Sequence, residues 1–303
     1  MIPAPNSLWF SHLLPERHPQ LWNELVTALT PHGFDPQLLP NTSDVWAVDY
    51  MPIQVAATDF VQFRYEPGYL LPYARHRASI TDPAATGLPK RLPNLLVSSL
   101  RLDGGNVVRA DGLALVCDKV LAENPTLPEQ IVRRQLSNDL QADHLLLLPT
   151  APGDIVGHAD GMVFLLDEHT VLINDYQGPE AAFGRSLHRE LRNAGLECIP
   201  FPYNPYNPYA NRSVHSAIGL YLNFIRLPGL VLLPSFDLPD DGAAQQQARA
   251  LFPDCTVVAL PCAELAALGG VLHCITWAWH TLESNQQARP DHEINESFYR
   301  NGS

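Results

Sequence analysis

The sequence has little of what usually identifies a protein quickly. Its five cysteines in 303 residues, Cys117, Cys198, Cys255, Cys262 and Cys274, are odd in number and scattered, without a Cys-x-x-Cys pair. Neither a disulfide framework nor a zinc ribbon is written in that pattern, which fits a reducing, cytoplasmic setting. No uninterrupted apolar run is long enough to cross a bilayer, and the opening Met1-Ile2-Pro3-Ala4-Pro5-Asn6 has no basic stretch leading into an apolar core. Neither a membrane span nor an export signal is expected. Basic residues are scarce and unclustered: 19 Lys plus Arg against 32 Asp plus Glu, a net charge of −13. A nucleic-acid partner needs a basic face that releases counterions, so that class is excluded. A small cation would be drawn to such a field, although acidity also serves solubility alone.

What is abundant is proline, 28 residues, which implies many turns and short elements. The length suits one α/β barrel or propeller, or two ordinary domains. Leu21, Leu25 and Leu29 have helical spacing, ended by Pro31. Alternation reads Asp44 to Gln54 as an extended segment with Trp46 opposite Asp49, broken at Pro52. An acid beside aromatics there is either a cation site or a surface Asp next to a core Trp. Leu95 to Leu102 reads as a strand running into the bend Asp103-Gly104-Gly105-Asn106, followed by a hairpin through Asp111-Gly112 to Cys117. A helix is expected over Pro128 to Leu140, and strands over Leu145 to Leu148 and Glu197 to Phe201. Leu220 to Ile225, which includes Asn223, and Leu230 to Leu233 read as a strand pair. A helix over Asp240 to Phe252 and a strand over Thr256 to Leu260 follow. The run Pro202 to Tyr209 is a tyrosine-bearing turn segment, a lid or a surface loop. From Ser284 the chain is a polar tail.

Two short stretches carry chemistry. In Gly157-His158-Ala159-Asp160-Gly161 an extended backbone would point His158 and Asp160 to one face. A metal site competes for such a pair, but no second histidine stands at a companion ligand spacing. Gly269-Gly270-Val271-Leu272-His273-Cys274-Ile275-Thr276 reads as a glycine turn leading into a strand that carries Cys274. That thiol is a nucleophile or a buried structural cysteine. Asp49 to Asp103 is 54 residues, Asp103 to His158 is 55, and His158 to Cys274 is 116, two intervals of 58. A structural repeat of that period, filling the chain about five times, would bring equivalent strand ends to one central site. A carboxylate pair, Asp49 and Asp160, facing a thiol and an imidazole suits a guanidinium, whose planar N–H donors pair bidentately. A cysteine peptidase would gain nothing from two acids around its scissile carbon.

Trp46-Ala47-Val48-Asp49-Tyr50-Met51-Pro52, Asp103-Gly104-Gly105, Gly157-His158-Ala159-Asp160 and Gly269 through Thr276, with Pro234-Ser235-Phe236-Asp237 and Asp240-Asp241, resemble in order the motifs of the agmatine deiminase and bacterial peptidylarginine deiminase family. The resemblance implies a pentein, a pseudo-five-fold α/β propeller of ββαβ-like modules, as a single domain over residues 1–303. It implies Cys274 as nucleophile, His158 as general acid and base, and Asp49 and Asp160 as catalytic carboxylates and guanidinium ligands. Trp46, Asp103 and Asn106 are expected with them at the substrate. No metal or organic cofactor is implied. The reaction would be hydrolytic deimination, with agmatine, giving N-carbamoylputrescine and ammonia, as the first substrate to consider. Val48 stands where the family often has Arg, Asp103 where it often has Glu, and Trp277-Ala278-Trp279 replaces a polar run. Peptidylarginine, free arginine, amidino transfer and a non-catalytic guanidine binder therefore stay open, as does a homodimer.

Overall fold

A strand whose successive side chains are all apolar must be covered on both faces. Leu113–Cys117 has that character throughout, as do residues 171–173 of Thr170–Asn174 and 230–234 of Leu230–Ser235, and each strand is the middle one of its sheet. The computed structural model describes residues 4–72, 74–205 and 216–281, and the described strands form five three-stranded sheets. In the first, β1 (Ser7–Ser11) pairs in parallel with β2 (Gln37–Leu39) and antiparallel with Thr276–Trp279, close to the other end of the chain. The second holds β3 (Ile53–Gln54), β4 (Asp59–Arg64) and β5 (Asn94–Arg101). The third holds β6 (Val107–Ala110), β7 (Leu113–Cys117) and β8 (His144–Leu148). The fourth holds β9 (Val163–Leu165), β10 (Thr170–Asn174) and β11 (Glu197–Phe201). The fifth holds β12 (Ile225–Leu227), β13 (Leu230–Ser235) and β14 (Thr256–Pro261), and Thr276–Trp279 is β15.

Every sheet repeats one plan, an antiparallel pair and then a parallel pair around the middle strand. A parallel pair needs a long crossover, usually a helix. Four crossovers carry one: Pro19–Leu29, Glu129–Asp139, Ala181–Asn193 and Asp241–Leu251. The fifth, from β4 to β5, has only the short helix Ala74–Arg77 and two 3-10 turns. Pro19–Leu29 shows why such helices form. Proline opens its first turn, where the missing N–H costs nothing, and Leu21, Leu25 and Leu29 are buried against the largest apolar cluster. Each such leucine contributes about 1.5–3 kcal/mol. Among the described residues no helix is long and apolar enough to cross a membrane.

Three expected strands are corrected. Asp44 to Gln54 is not extended: Asp44 Oδ1 accepts from Trp46 N at 3.1 Å, Asp49 N donates to Trp46 O, and Ala47–Tyr50 forms one helical turn before the two-residue β3. Cys274 lies in a turn, closed by Thr276 N donating to His273 O at 3.0 Å, and β15 starts two residues later. Leu220 to Phe224 is irregular, because the buried amide of Asn223 bonds to other loops and only Ile225–Leu227 joins the sheet. His158 is extended as expected, but Ala159–Gly161 is a 3-10 turn, so a turn and not strand alternation aims Asp160. Of the tyrosine-bearing run, Tyr203 bridges Leu220, while Tyr206 to Tyr209 lie outside the described residues, as does the polar tail.

Candidate active site

The turn and loop segments around the strand ends meet at one place. Ala47–Tyr50 supplies Asp49, the Gly104–Asn106 turn follows β5, the Ala159–Gly161 turn precedes β9, and the Cys274 turn precedes β15. Two glycine positions make the approach possible. A Cβ at Gly104 would lie 1.9 Å from the Val48 carbonyl oxygen, so any larger residue would push the two turns apart. A Cβ at Gly270 would lie 2.5 Å from the ring of Trp46, so this glycine lets the cysteine loop rest on the half-buried indole. Val48 N donates to Cys274 O at 3.3 Å and ties the loops together.

The geometry around Gly105 defines the site. A Cβ there would fall 2.7 Å from Asp49 Oδ1, 2.8 Å from His158 Nδ1 and 3.3 Å from Asp160 Oδ2. All three side chains therefore face one small space, kept open by the absence of a side chain at Gly105. Asp49 Oδ1 accepts from Gly105 N at 3.1 Å and lies 3.5 Å from His158 Nδ1. The far side of the imidazole is held by Asp103, whose Oδ2 is 3.0 Å from His158 Nε2. Asp160 Oδ2 accepts from Asn223 Nδ2 at 3.1 Å, lies 2.8 Å from His273 Nδ1, and is 3.8 Å from Cys274 Sγ. Asn223 Oδ1 accepts from the Cys274 backbone N–H at 3.2 Å and from its thiol at 3.3 Å.

The charges are unbalanced, and this sets proton affinities. Burial pulls the His158 imidazole down, but Asp49, Asp103 and Asp160 outweigh it and raise it to about 9. His158 is therefore an imidazolium at neutral pH. Burial, reinforced by Asp103 and Asp160, pushes Asp49 up to about 7 against the opposing pull of His158 and the Gly105 hydrogen bond. The Cys274 thiol is pushed well above its ordinary value by burial and then by Asp160 and Asp49. Burial and the neighbouring carboxylates thus favour the protonated thiol over the thiolate. Among the described residues no group of three or more His, Cys, Asp and Glu is arranged to hold a metal ion.

The structure thus brings Asp49, His158, Asp160 and Cys274 together, with Trp46 beneath the cysteine loop. Two residues expected at the substrate do other work. Asn106 is 1% exposed and spends its amide on the Cys117 backbone, accepting from N at 2.7 Å and donating to O at 3.4 Å. Asp103 is 2% exposed and spends Oδ2 on His158 and on Lys119, whose Nζ is 3.5 Å away. Sequence reasoning assigned no role to Asn223, His273 or Lys119. One signal was available for Asn223, a single amide within the apolar Tyr221-Leu222-Asn223-Phe224-Ile225, where a buried polar group needs partners.

Comparison with known proteins follows the same line. A family model described as Porphyromonas-type peptidyl-arginine deiminase matches residues 26–279. The agmatine deiminase of Pseudomonas fluorescens (strain SBW25) is 28% identical over 218 residues, which span 62% of this chain and 59% of that relative. Among solved structures, a substrate-bound agmatine deiminase from C. jejuni superposes with a TM-score of 0.75 at 16% identity, covering 92% of this chain and 95% of that one. A DDAH from Pseudomonas aeruginosa complexed with citrulline gives 0.56 at 12%, covering 91% and 100%. At such identities the structural likeness establishes the fold alone, that of the penteins.

Proposed function

The chain belongs to the Porphyromonas-type peptidyl-arginine deiminase family, and from that premise we propose that it hydrolyses a small guanidino cation, releasing ammonia through a covalent bond to Cys274. One observation carries the reading: Asp49 Oδ1, His158 Nδ1 and Asp160 Oδ2 border a single space beside Gly105, and the thiol touches Asp160. Two acids, a proton donor and a sulfur around a small gap match what a guanidinium needs. We also read the five sheets as a closed pseudo-five-fold ring, with β15 completing the first sheet.

The steps follow from the charges. A guanidinium between Asp49 and Asp160 compensates the two charges that hold the thiol protonated, so the thiol proton leaves to solvent. The thiolate Sγ adds to the guanidinium carbon. His158 gives its Nδ1 proton to one terminal nitrogen, the C–N bond breaks, ammonia departs, and an amidino-thioether to Cys274 remains. The now neutral imidazole takes a proton from water as its oxygen adds to the same carbon. Collapse breaks the C–S bond as the hydroxyl passes its remaining proton to the departing sulfur, which restores the thiol and frees a neutral ureido product. His158 can act in both halves because Asp103 holds its other nitrogen throughout.

Agmatine is the first substrate to test, since the surrounding carboxylates and the overall acidity favour a cation with a second amine. The experiment is ammonia release from a panel of agmatine, free arginine and a peptidyl arginine, run with the wild type and Cys274→Ser. Ammonia with a stoichiometric ureido product, lost in C274S, is expected. No ammonia from any guanidine, a new guanidine formed on an added amine instead, or near-normal turnover in C274S, would each overturn the proposal.

A further inference from the structure

Lys119 lies outside the space that would hold the substrate, yet it touches both supports of His158. Its Nζ is 3.5 Å from Asp103 Oδ2, the same oxygen that lies 3.0 Å from His158 Nε2. Its stem packs on the residue preceding His158, since a Cβ at Gly157 would sit 2.8 Å from Lys119 Cδ. The ammonium itself is held in place: Nζ is 3.1 Å from Glu123 Oε1 and 4.7 Å from the centre of the Tyr69 ring. Three ammonium protons thus face three receivers: a carboxylate at the site, a second on the same helical turn, and an aromatic face. Glu123 Oε1 also accepts from Gly68 N at 3.3 Å, which fastens the β4–β5 crossover to the same anchor.

The second oxygen of Asp103 explains why an anchor is needed. Oδ1 is buried and has no hydrogen-bond partner among the described residues. A carboxylate bound through one oxygen to one imidazole nitrogen can rotate about its own axis and let the ring tilt. When that oxygen is shared between two cations on different elements, the rotation is blocked. The imidazole then keeps Nδ1 toward the space bordered by Asp49 and Asp160, where a proton must be delivered within hydrogen-bond reach.

We propose that Lys119 is a positioning residue: by binding Asp103 Oδ2 from behind and packing on Gly157, it fixes the Asp103–His158 pair in the orientation that proton transfer requires. This rests on the deiminase reading for its kinetic consequence but not for its structural one. The groups that face the imidazole are Asp49, Asp103 and Asp160, and Lys119 reaches it only through Asp103 and the Gly157 backbone.

The test uses the full chain with Lys119→Met, Lys119→Gln and Lys119→Arg. In the free protein, proton NMR of the His158 Nε2–H resonance reports the hydrogen bond to Asp103 without any substrate. It should be sharp and protected in the wild type and in K119R, and broadened or lost in K119M and K119Q. With the substrate the wild type turns over, kcat should fall about tenfold to a hundredfold in the neutral variants, the cost of a misplaced group. KM should stay within about threefold and K119R should recover most of the rate. An unchanged Nε2–H resonance in a folded neutral variant overturns the proposal even if the wild type proves to be no deiminase. If K119M fails to fold, K119Q decides the matter by the same resonance. A neutral variant with wild-type kcat overturns it as well.

Discussion

Replacing Asp160 by Asn should move two observables in opposite directions. The carboxylate is 5% exposed at its side chain, and its Oδ2 lies 3.8 Å from the thiol sulfur and borders the Gly105 space. Removing one partner of a desolvated ion pair costs about 3–5 kcal/mol. Turnover of a guanidino substrate should therefore fall by roughly a hundredfold to a few thousandfold, at about 1.4 kcal/mol per tenfold. The same change should make the free thiol easier to ionise. After burial, the Asp160 charge is the main cause that holds the Cys274 thiol above its ordinary value, so removing it lowers the thiol's hold on its proton. The assay is the pH dependence of alkylation by iodoacetamide, a neutral reagent that reports thiolate without using the acid pair. In D160N the alkylation midpoint should shift to lower pH while ammonia release collapses. A variant less active and equally hard to alkylate would mean that Asp160 does not act on the sulfur through its charge. A variant retaining a third or more of wild-type turnover would refute its pairing with a cation.

Further outcomes rest on separate parts of the site. His158 and Asp49 both have folded-state values raised above their ordinary ones, to about 9 from 6.5 and to about 7 from 3.8. Each contributes stability that is full below the ordinary value and lost as pH rises through the folded one. Urea melts should therefore show the wild type losing stability from pH 6.5 to 9 more steeply than His158→Gln, and parallel curves would contradict the charged imidazole. Gly104→Ala would put a methyl 1.9 Å from a backbone oxygen, beyond ordinary overpacking, and should cost at least about 3 kcal/mol in urea unfolding. A loss under about 1 kcal/mol would show that the turns can part.

Much of the architecture could be read from the chain because it depends on patterns that a linear sequence displays. Runs such as Leu230 to Leu233 and Leu113 to Cys117 read as strands, and the intervals of 54 residues from Asp49 to Asp103 and 55 from Asp103 to His158 are close to the length of one sheet module. Turns at the site were misread for one reason. Over five or six residues, apolar alternation does not distinguish a strand from a helical turn, and the deciding contact is a single polar atom. Asp44 Oδ1 receiving Trp46 N converts an expected strand into the turn that aims Asp49.

The deeper loss concerns residues that act through others. Cys274, His158 and the acids announce themselves because thiols, imidazoles and carboxylates are chemically distinctive. Asn223 and Lys119 do not, since an amide in an apolar run and a lysine opening a short helix are common everywhere. Their meaning exists only in three dimensions. Asn223 bridges Asp160 to the cysteine loop across 51 residues of sequence, and Lys119 meets Asp103 and Gly157 from opposite sides in sequence. The glycines are the exception that ties the two levels together. Gly104, Gly105 and Gly270 are visible in the sequence as flexible points, yet here they matter because a side chain at any of them would occupy space claimed by Val48, by the Asp49, His158 and Asp160 side chains, or by Trp46. A sequence therefore marks where backbones may come close, and only the fold says what they come close to.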